Sequence, residues 1–298
     1  MQYKQLGKSG LKVSTIGYGC MSLKGTPAAN EKLIHQALEG GINYFDTADI
    51  YENGVNEETV GRAIAAKRHD IVLATKVGNQ PKANGPGWDW NPTKKYILLA
   101  VEASLKRLQT DYIDLYQLHG GTINDDIDDT IAAFEQLQQQ GKIRAYGISS
   151  IRPNVIRAYV QKSNIASVMM QYSLLDRRPE EECLALLMQH NIGVLARGSV
   201  AGGLLVDKPA KPYLNYNSTQ VQKAAAVLQS LSGKHHSPAQ TAVQYVLAHP
   251  AITAAVVGIR TPTQLTDALG VVTVPVLLQS EKQQLDEAIE ANQYEQHR

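Results

Sequence analysis

Apolar and polar positions alternate along this chain in two rhythms. Short apolar runs recur at 15–18, 42–46, 71–76, 112–119, 145–149, 168–171, 193–196 and 254–257, and each reads as a strand buried on both faces. Between them the spacing turns helical. Residues 30–39 show it plainly, with Leu33, Ile34, Ala37 and Leu38 on one face and Gly40 and Gly41 closing the run. The same spacing predicts helices at 57–66, 93–108, 127–140, 155–161, 181–189, 219–231 and 238–248, with two more after Thr261 and Ser280. Eight strand–helix units, with no composition break and no linker, predict one α/β domain over residues 1–298, a closed (β/α)8 or TIM barrel. Gly7 to Gly10 makes a turn between two short alternating runs and predicts an N-terminal β-hairpin; the remaining surplus fits long loops and an extra C-terminal helix. A doubly wound open sheet is the alternative. It expects GxGxxG after the first strand, and Gly17 and Gly19 are followed by Ser22 where the third glycine belongs.

In a parallel barrel the reactive groups sit at the C-terminal ends of the strands. Three predicted strands end in Asp46, Lys76 and His119, and Tyr51 follows five residues after Asp46 in GINYFDTADIY (41–51). These residues make a proton donor. A tyrosine hydroxyl ordinarily titrates near 10, and a nearby cation favours the phenolate and lowers that value. Lys76 can be the cation, with Asp46 holding it charged and oriented, while His119 can hydrogen-bond a carbonyl oxygen or help move a proton. No Ser or Cys stands beside the His as a nucleophile, so a proton given to a developing alkoxide is the chemistry that fits, and the hydride must come from a cofactor. Taken singly, Asp46 and Lys76 read as a strand-end ion pair and His119 as a core residue.

Composition narrows the partners. Lys and Arg number 29 against 28 Asp and Glu, so no global charge recruits nucleic acid or an acidic membrane. Cys20 and Cys183 lack metal-ligand spacing and suit a reducing compartment; with no signal-type or membrane-spanning apolar run, the expectation is a cytoplasmic protein. GKSG at 7–10 is not a phosphate loop, because Gln2 stands where that pattern needs Gly. His235 and His236 read as a solvated turn, with no metal expected. The segment 77–92, rich in Gly, Pro, Asn and Trp, is too long for a simple connector and reads as a binding lid, with Trp88 and Trp90 as candidate substrate walls.

GINYFDTADIY, the Thr75-Lys76 pair and DLYQLH (114–119) together resemble the aldo-keto reductase family, from Leu6 to the last barrel helix. The resemblance implies Tyr51 as general acid, Lys76 and Asp46 as the groups that tune it, and His119 as the group that orients the carbonyl. It also implies NADPH, bound extended across the barrel mouth, as hydride donor to an aldehyde or ketone. AYGISS (145–150) resembles the family stretch that contacts the nicotinamide amide and implies Ser149 in that role, with Ser150 where Asn is usual; Gln171 in VMMQYSLL resembles a second contact to the same amide. LARGSVAGGLL (195–205) resembles the pyrophosphate loop and implies Arg197, Gly198, Ser199 and Gly203 around the cofactor, with Arg197 in place of the stacking Tyr. VVGIRTPTQLTDA (256–268) resembles the adenosine-binding stretch and implies Gly258, Arg260, Gln264 and Asp267, with Arg260 and Gln264 near a 2′-phosphate. The same family includes potassium-channel β subunits, so an NADPH-bound regulatory subunit is the alternative to the enzyme. Substrate and oligomeric state are not legible.

Overall fold

In the computed structural model, residues 1–233 and 236–298 are described; Lys234 and His235 lie outside them, so the expectation for His235 is not addressed. The chain opens with β1 (Tyr3–Gln5) and β2 (Lys12–Ser14), paired antiparallel through the turn at Gly7 to Gly10. Then follow β3 (Ile16–Gly19), α1 (Pro27–Glu39), β4 (Tyr44–Asp46), α2 (Val55–Ile64) and β5 (Val72–Val77). A second hairpin, β6 (Asn79–Pro81) and β7 (Trp88–Trp90), precedes α3 (Lys94–Leu108), β8 (Ile113–Leu118), α4 (Ile127–Gln139) and β9 (Ile143–Ser149). The chain continues through α5 (Pro153–Lys162), β10 (Ser167–Gln171), α6 (Cys183–Gln189) and β11 (Gly193–Arg197). It ends with α7 (Ser218–Leu231), α8 (Pro238–Leu247), β12 (Ile252–Gly258), α9 (Pro262–Gly270) and α10 (Gln279–Ala288).

Strands β3, β4, β5, β8, β9, β10, β11 and β12 pair in parallel in chain order and close on themselves, so the predicted barrel is the observed one and the open sheet is not. Alternation along each strand sorts the side chains. Tyr44, Val72, Ala74, Leu115, Ala145, Met169, Leu195, Ala254 and Val256 point inward and form a packed core inside the barrel. Leu6, Leu11 and Val13 of the first hairpin belong to that core and plug its N-terminal end, where the Lys4 ammonium also donates to the Ile252 carbonyl at 2.9 Å. Outward-facing residues such as Ile16, Phe45, Leu73 and Tyr116 pack instead against the ring of helices.

Helices start where a side chain can serve the free N–H groups of the first turn. Thr26, Thr93, Asp126, Asn217, Ser237 and Thr261 each accept a bond from the third residue of the helix that follows, an arrangement whose loss costs about 0.5–2 kcal/mol. These caps explain why α1 begins at Pro27 rather than Asn30, since Pro27 needs no partner for an N–H at the first helical position.

Two expectations need correction in detail. Residues 77–92 are not an irregular lid: Asn79 pairs with Trp90 and Pro81 with Trp88, which leaves an irregular tip only at 82–87, where Gly85 and Gly87 take positive φ. The helix expected at 181–189 is a 3-10 turn, Arg178–Glu181, followed by α6, because Pro179 starts the turn and Glu182 leaves the helical region.

Candidate active site

The C-terminal end of the barrel collects the sequence-predicted polar residues. Asp46 closes β4, Lys76 lies near the end of β5 and His119 follows β8, so three neighbouring strands deliver them to one side of the mouth. Asp46 and Lys76 are buried, and the Lys76 ammonium donates to the Asp46 carboxylate and, at 2.8 Å, to the Thr47 carbonyl. Asp46 is held from below as well. Its second oxygen accepts from the Gln117 amide at 3.1 Å and from the Tyr44 hydroxyl at 3.3 Å. Burial alone would lower the Lys76 pKa, but the Asp46 charge and hydrogen bond outweigh it and hold the ammonium above its ordinary value.

Tyr51 reaches this pair from a tight turn, in which Glu52, Asn53 and Gly54 adopt positive φ of 51°, 54° and 92° before α2 begins. Its ring centroid lies 5.2 Å from the Lys76 nitrogen and 5.9 Å from the His119 ring, which meets it edge-on at 83°. The expected lowering of the Tyr51 pKa by Lys76 is not the net result. Burial is the larger influence, and although Lys76 and Arg197 pull the other way, the hydroxyl stays above its ordinary value. His119 donates its backbone N–H to the Val77 carbonyl at 2.7 Å, and its Nδ1 is buried without a partner. Burial, reinforced by the charges of Lys76 and Arg197, pushes its pKa down to about 3, so the imidazole is neutral at physiological pH. Of the two roles the sequence allows His119, a neutral ring supports hydrogen bonding and not delivery of a second ionic proton.

The other side of the mouth is formed by β9, β10, β11 and β12. Gln171 and Arg197 stand directly opposite each other in the β10–β11 register, and the Arg197 guanidinium donates to the Gln171 amide oxygen at 3.0 Å. The Gln171 amide in turn donates to the Tyr213 hydroxyl at 2.5 Å. Ser149 ends β9 at the mouth, whereas the buried Ser150 hydroxyl is turned aside to accept the Arg152 N–H at 3.2 Å. Behind Arg197 the chain turns through Gly198, Ala201, Gly202 and Gly203, all at positive φ, and is closed by the Ala201 N–H donating to the Gly198 carbonyl at 2.8 Å and the Gly203 N–H to the Val200 carbonyl at 2.9 Å. Ser199 within it is buried, and its hydroxyl has no partner. Gly258 ends β12, with Ser22 so close that a Cβ on Gly258 would meet its hydroxyl at 2.3 Å. Arg260 is exposed, and its N–H donates to the Gln264 side-chain oxygen at 3.0 Å, which leaves the Gln264 side chain serving the turn into α9. Asp267 is partly buried on α9.

Trp90 is half-buried against Gly120, the residue after His119, while Trp88, on the same face of β7, is 52% exposed. Three residues that sequence reasoning passed over belong to the site or its support: Gln117, Tyr213 and Asp49. Alternation from Leu115 puts Gln117 on the inward face, which is the one signal that pointed to it; Tyr213 lies 42 residues from Gln171 and had none. Asp49, inside the TADIY stretch, is buried with both carboxylate oxygens unpartnered. Among the described residues no helix is long and apolar enough to cross a membrane, and no three His, Cys, Asp or Glu side chains are grouped to hold a metal ion.

Known proteins share this arrangement. The model of the Aldo/keto reductase family matches residues 15–290. An oxidoreductase of Bacillus subtilis, YqkF, is 48% identical over the full length of both chains, and the aldo-keto reductase YhdN of the same organism is 33% identical over 92% of this chain and 89% of its own. Among solved structures, the holo form of aldo-keto reductase AKR11C1 from Bacillus halodurans superposes with a TM-score of 0.94 at 48% identity, covering 100% of this chain and 99% of that one. Enzymes of this kind are oxidoreductases that act on small-molecule carbonyl compounds with a nicotinamide cofactor. A closed parallel barrel with a carboxylate, an ammonium and an imidazole at three successive strand ends, matched by that model over most of its length, places the chain in the aldo/keto reductase family.

Proposed function

We propose that the chain reduces aldehydes or ketones to alcohols with NADPH, and that Tyr51 supplies the proton. The observation that carries this reading is the joint placement of Tyr51, Lys76, Asp46 and His119, in mutual contact at the C-terminal ends of neighbouring strands. Residues of the β9 to β12 side would hold NADPH, which would supply the hydride that the carbonyl carbon takes up. The residues of that side fit such a molecule: the Ser199 hydroxyl is unpartnered, and although the Ala201 and Gly203 N–H groups bond back to Gly198 and Val200, the glycines of that turn let a phosphate approach the backbone closely. Ser149 and Gln171 would contact the nicotinamide amide once Gln171 leaves Arg197, and Arg197 would offer a flat guanidinium to the ring. Ser150, turned toward Arg152, supports that turn. Gly258, Arg260, Gln264 and Asp267 line the adenosine end, where Arg260, free of any ion pair among the described residues, suits a 2′-phosphate and hence NADPH over NADH.

The geometry supports this proton step. Tyr51 is protonated at neutral pH because its burial holds the proton on, so the acid is loaded before the carbonyl arrives. As negative charge grows on the carbonyl oxygen, the Tyr51 hydroxyl proton moves to it and the phenolate left behind faces the Lys76 ammonium. Asp46 keeps that ammonium charged inside a buried site. A neutral His119 donates an N–H toward the same oxygen and fixes its direction, and Trp90 walls the substrate side. Carbonyl, hydride and proton sum to the alcohol.

NADPH consumption against small, aromatic and dicarbonyl aldehydes tests the reading, with Tyr51→Phe in parallel. The variant should lose roughly 10² to 10⁴ in turnover, the range of general acid catalysis, while NADPH still binds. Retained turnover removes Tyr51 from the role. NADPH bound tightly and consumed by neither protein turns the reading to a regulatory subunit.

A further inference from the structure

Trp90 owes its position to a residue in a different loop. Its indole N–H donates to Asp125 at 3.0 Å, across from the β6–β7 hairpin to the segment between β8 and α4. Asp125 is set before Trp90 arrives, because its two carboxylate oxygens also accept from the Thr122 N–H at 2.7 Å and the Thr122 hydroxyl at 2.8 Å. That segment is pinned on its far side too, where the Arg152 guanidinium donates to the Gly121 carbonyl. With the indole so held, its six-membered ring lies on bare backbone at two strand ends. A Cβ on Gly78 would come within 2.7 Å of the ring and one on Gly120 within 3.4 Å, and both glycines are at positive φ, 122° and 139°. Gly120 is the residue after His119, so the indole stands over the backbone that carries the imidazole.

We propose that Asp125 is a positioning residue for substrate selection: by fixing the Trp90 indole against Gly78 and Gly120, it makes a flat apolar wall that favours carbonyl compounds whose non-reacting part is aromatic. This rests on the reading of the site as a carbonyl reductase. A hydrogen bond from an indole to a carboxylate restrains the ring without touching the reacting atoms, so its loss acts on binding of the substrate body and not on the proton step. Small aliphatic aldehydes that do not reach the wall are indifferent to it.

The test combines Asp125→Ala, Asp125→Asn and Trp90→Ala. With benzaldehyde, KM should rise about tenfold in Asp125→Ala with kcat little changed, the size expected of one charge-assisted hydrogen bond, and at least as much in Trp90→Ala, which removes the wall itself. With propanal the KM of Asp125→Ala should stay put. Asp125→Asn keeps an acceptor oxygen and should recover most of the loss, which general loosening of the loop would not do. The chain has two tryptophans, so Trp88→Phe isolates the emission of Trp90, and adding Asp125→Ala should shift that emission to longer wavelength. An unshifted emission, or equal KM changes for the two aldehydes, overturns the proposal. If the unsubstituted protein reduces no carbonyl, the reductase reading fails separately, and quenching of Trp90 by benzyl alcohol in the presence of NADP+ decides for Asp125. Quenching weakened by Asp125→Ala upholds the wall, and quenching that survives it overturns it.

Discussion

On the side of the mouth formed by β4, β5 and β8, Asp46, Lys76 and Gln117 are buried and bonded to one another, whereas across the barrel Arg197 and Arg260 are exposed and Ser199 keeps a buried hydroxyl without a partner. On the first side the charged pair is in place before any ligand arrives, although His119 Nδ1 and the Gln117 side-chain oxygen are buried without partners. Its charges are neutralised in place, and the surrounding protein holds them in one geometry, which is the condition for electrostatic stabilisation without reorganisation during the reaction. The second side is a set of donors that wait. Its one internal chain of bonds, from Arg197 to Gln171 to Tyr213, engages an amide that the proposed cofactor needs. Removing a group from the finished side should therefore cost rate, and removing one from the waiting side should cost affinity.

Gln117→Leu is the sharpest way to break that contrast. The substitution keeps volume and takes away the amide that holds the second oxygen of Asp46, so the carboxylate and the ammonium on it lose one of their constraints. Turnover should fall by about 100-fold, as expected of a small misplacement at a catalytic group, with the NADPH dissociation constant unchanged. Single-turnover kinetics with a titration of cofactor fluorescence read both. An affinity loss equal to the rate loss would mean that the finished side also holds the cofactor, and the contrast would go.

Arg260→Ala probes the waiting side. NADPH affinity should drop about 10- to 100-fold and NADH affinity far less, since a charge-assisted contact to the 2′-phosphate exists for one cofactor alone. Turnover at saturating NADPH should hold. Equal losses for the two cofactors would move Arg260 away from the phosphate, and a fall in saturated turnover would tie the two sides together.

The same contrast governs what the sequence let one read. Strands β4, β5 and β8 end in residues whose types alone imply chemistry, and period-two alternation places Asp46 above Tyr44 and Lys76 above Ala74, so the barrel and its polar set were both legible. Gln117 was harder. Within a run such as IDLYQL a glutamine reads as one polar residue in a strand, and only closure of the barrel shows that it meets Asp46, 71 positions earlier. The β6–β7 hairpin escaped because Pro81, Gly85 and Gly87 signal a loop while the pairing that orders it is carried by few residues. The Trp90–Asp125 contact and the Gln171–Tyr213 contact span 35 and 42 residues and each joins a strand end to a distant loop, so no local pattern encodes them. Direction of a pKa shift was the hardest of all: a neighbouring cation is visible in a motif, but the burial that outweighs it at Tyr51 belongs to the folded packing.

Asp49 gives the smallest expected effect on turnover, and it tests whether the finished side is finished throughout. It lies between Asp46 and Tyr51, is 8% exposed, and neither carboxylate oxygen has a partner. Burial, with the Glu57 charge added, pushes its pKa up to about 8 against the pull of Arg107, the Ile50 N–H and Lys76. An unfolded aspartate titrates near 3.9, so between roughly pH 4 and the folded value the native protein holds a proton that the unfolded chain has released. The stability carried by the protonated form is whole below that window and lost as pH rises through it. Asp49→Asn cannot titrate and should escape the loss: its melting temperature should match that of the unsubstituted protein near pH 4 and exceed it by roughly 10 degrees by pH 8.5, the shift expected of about 5 kcal/mol, which a displacement of about four pKa units carries. Thermal unfolding at several pH values reads the gap directly. A gap that stays constant with pH would mean that Asp49 is ionised in the native protein and shares Arg107 with Glu57, in which case the loop leading to Tyr51 is held by charge and not by a buried proton.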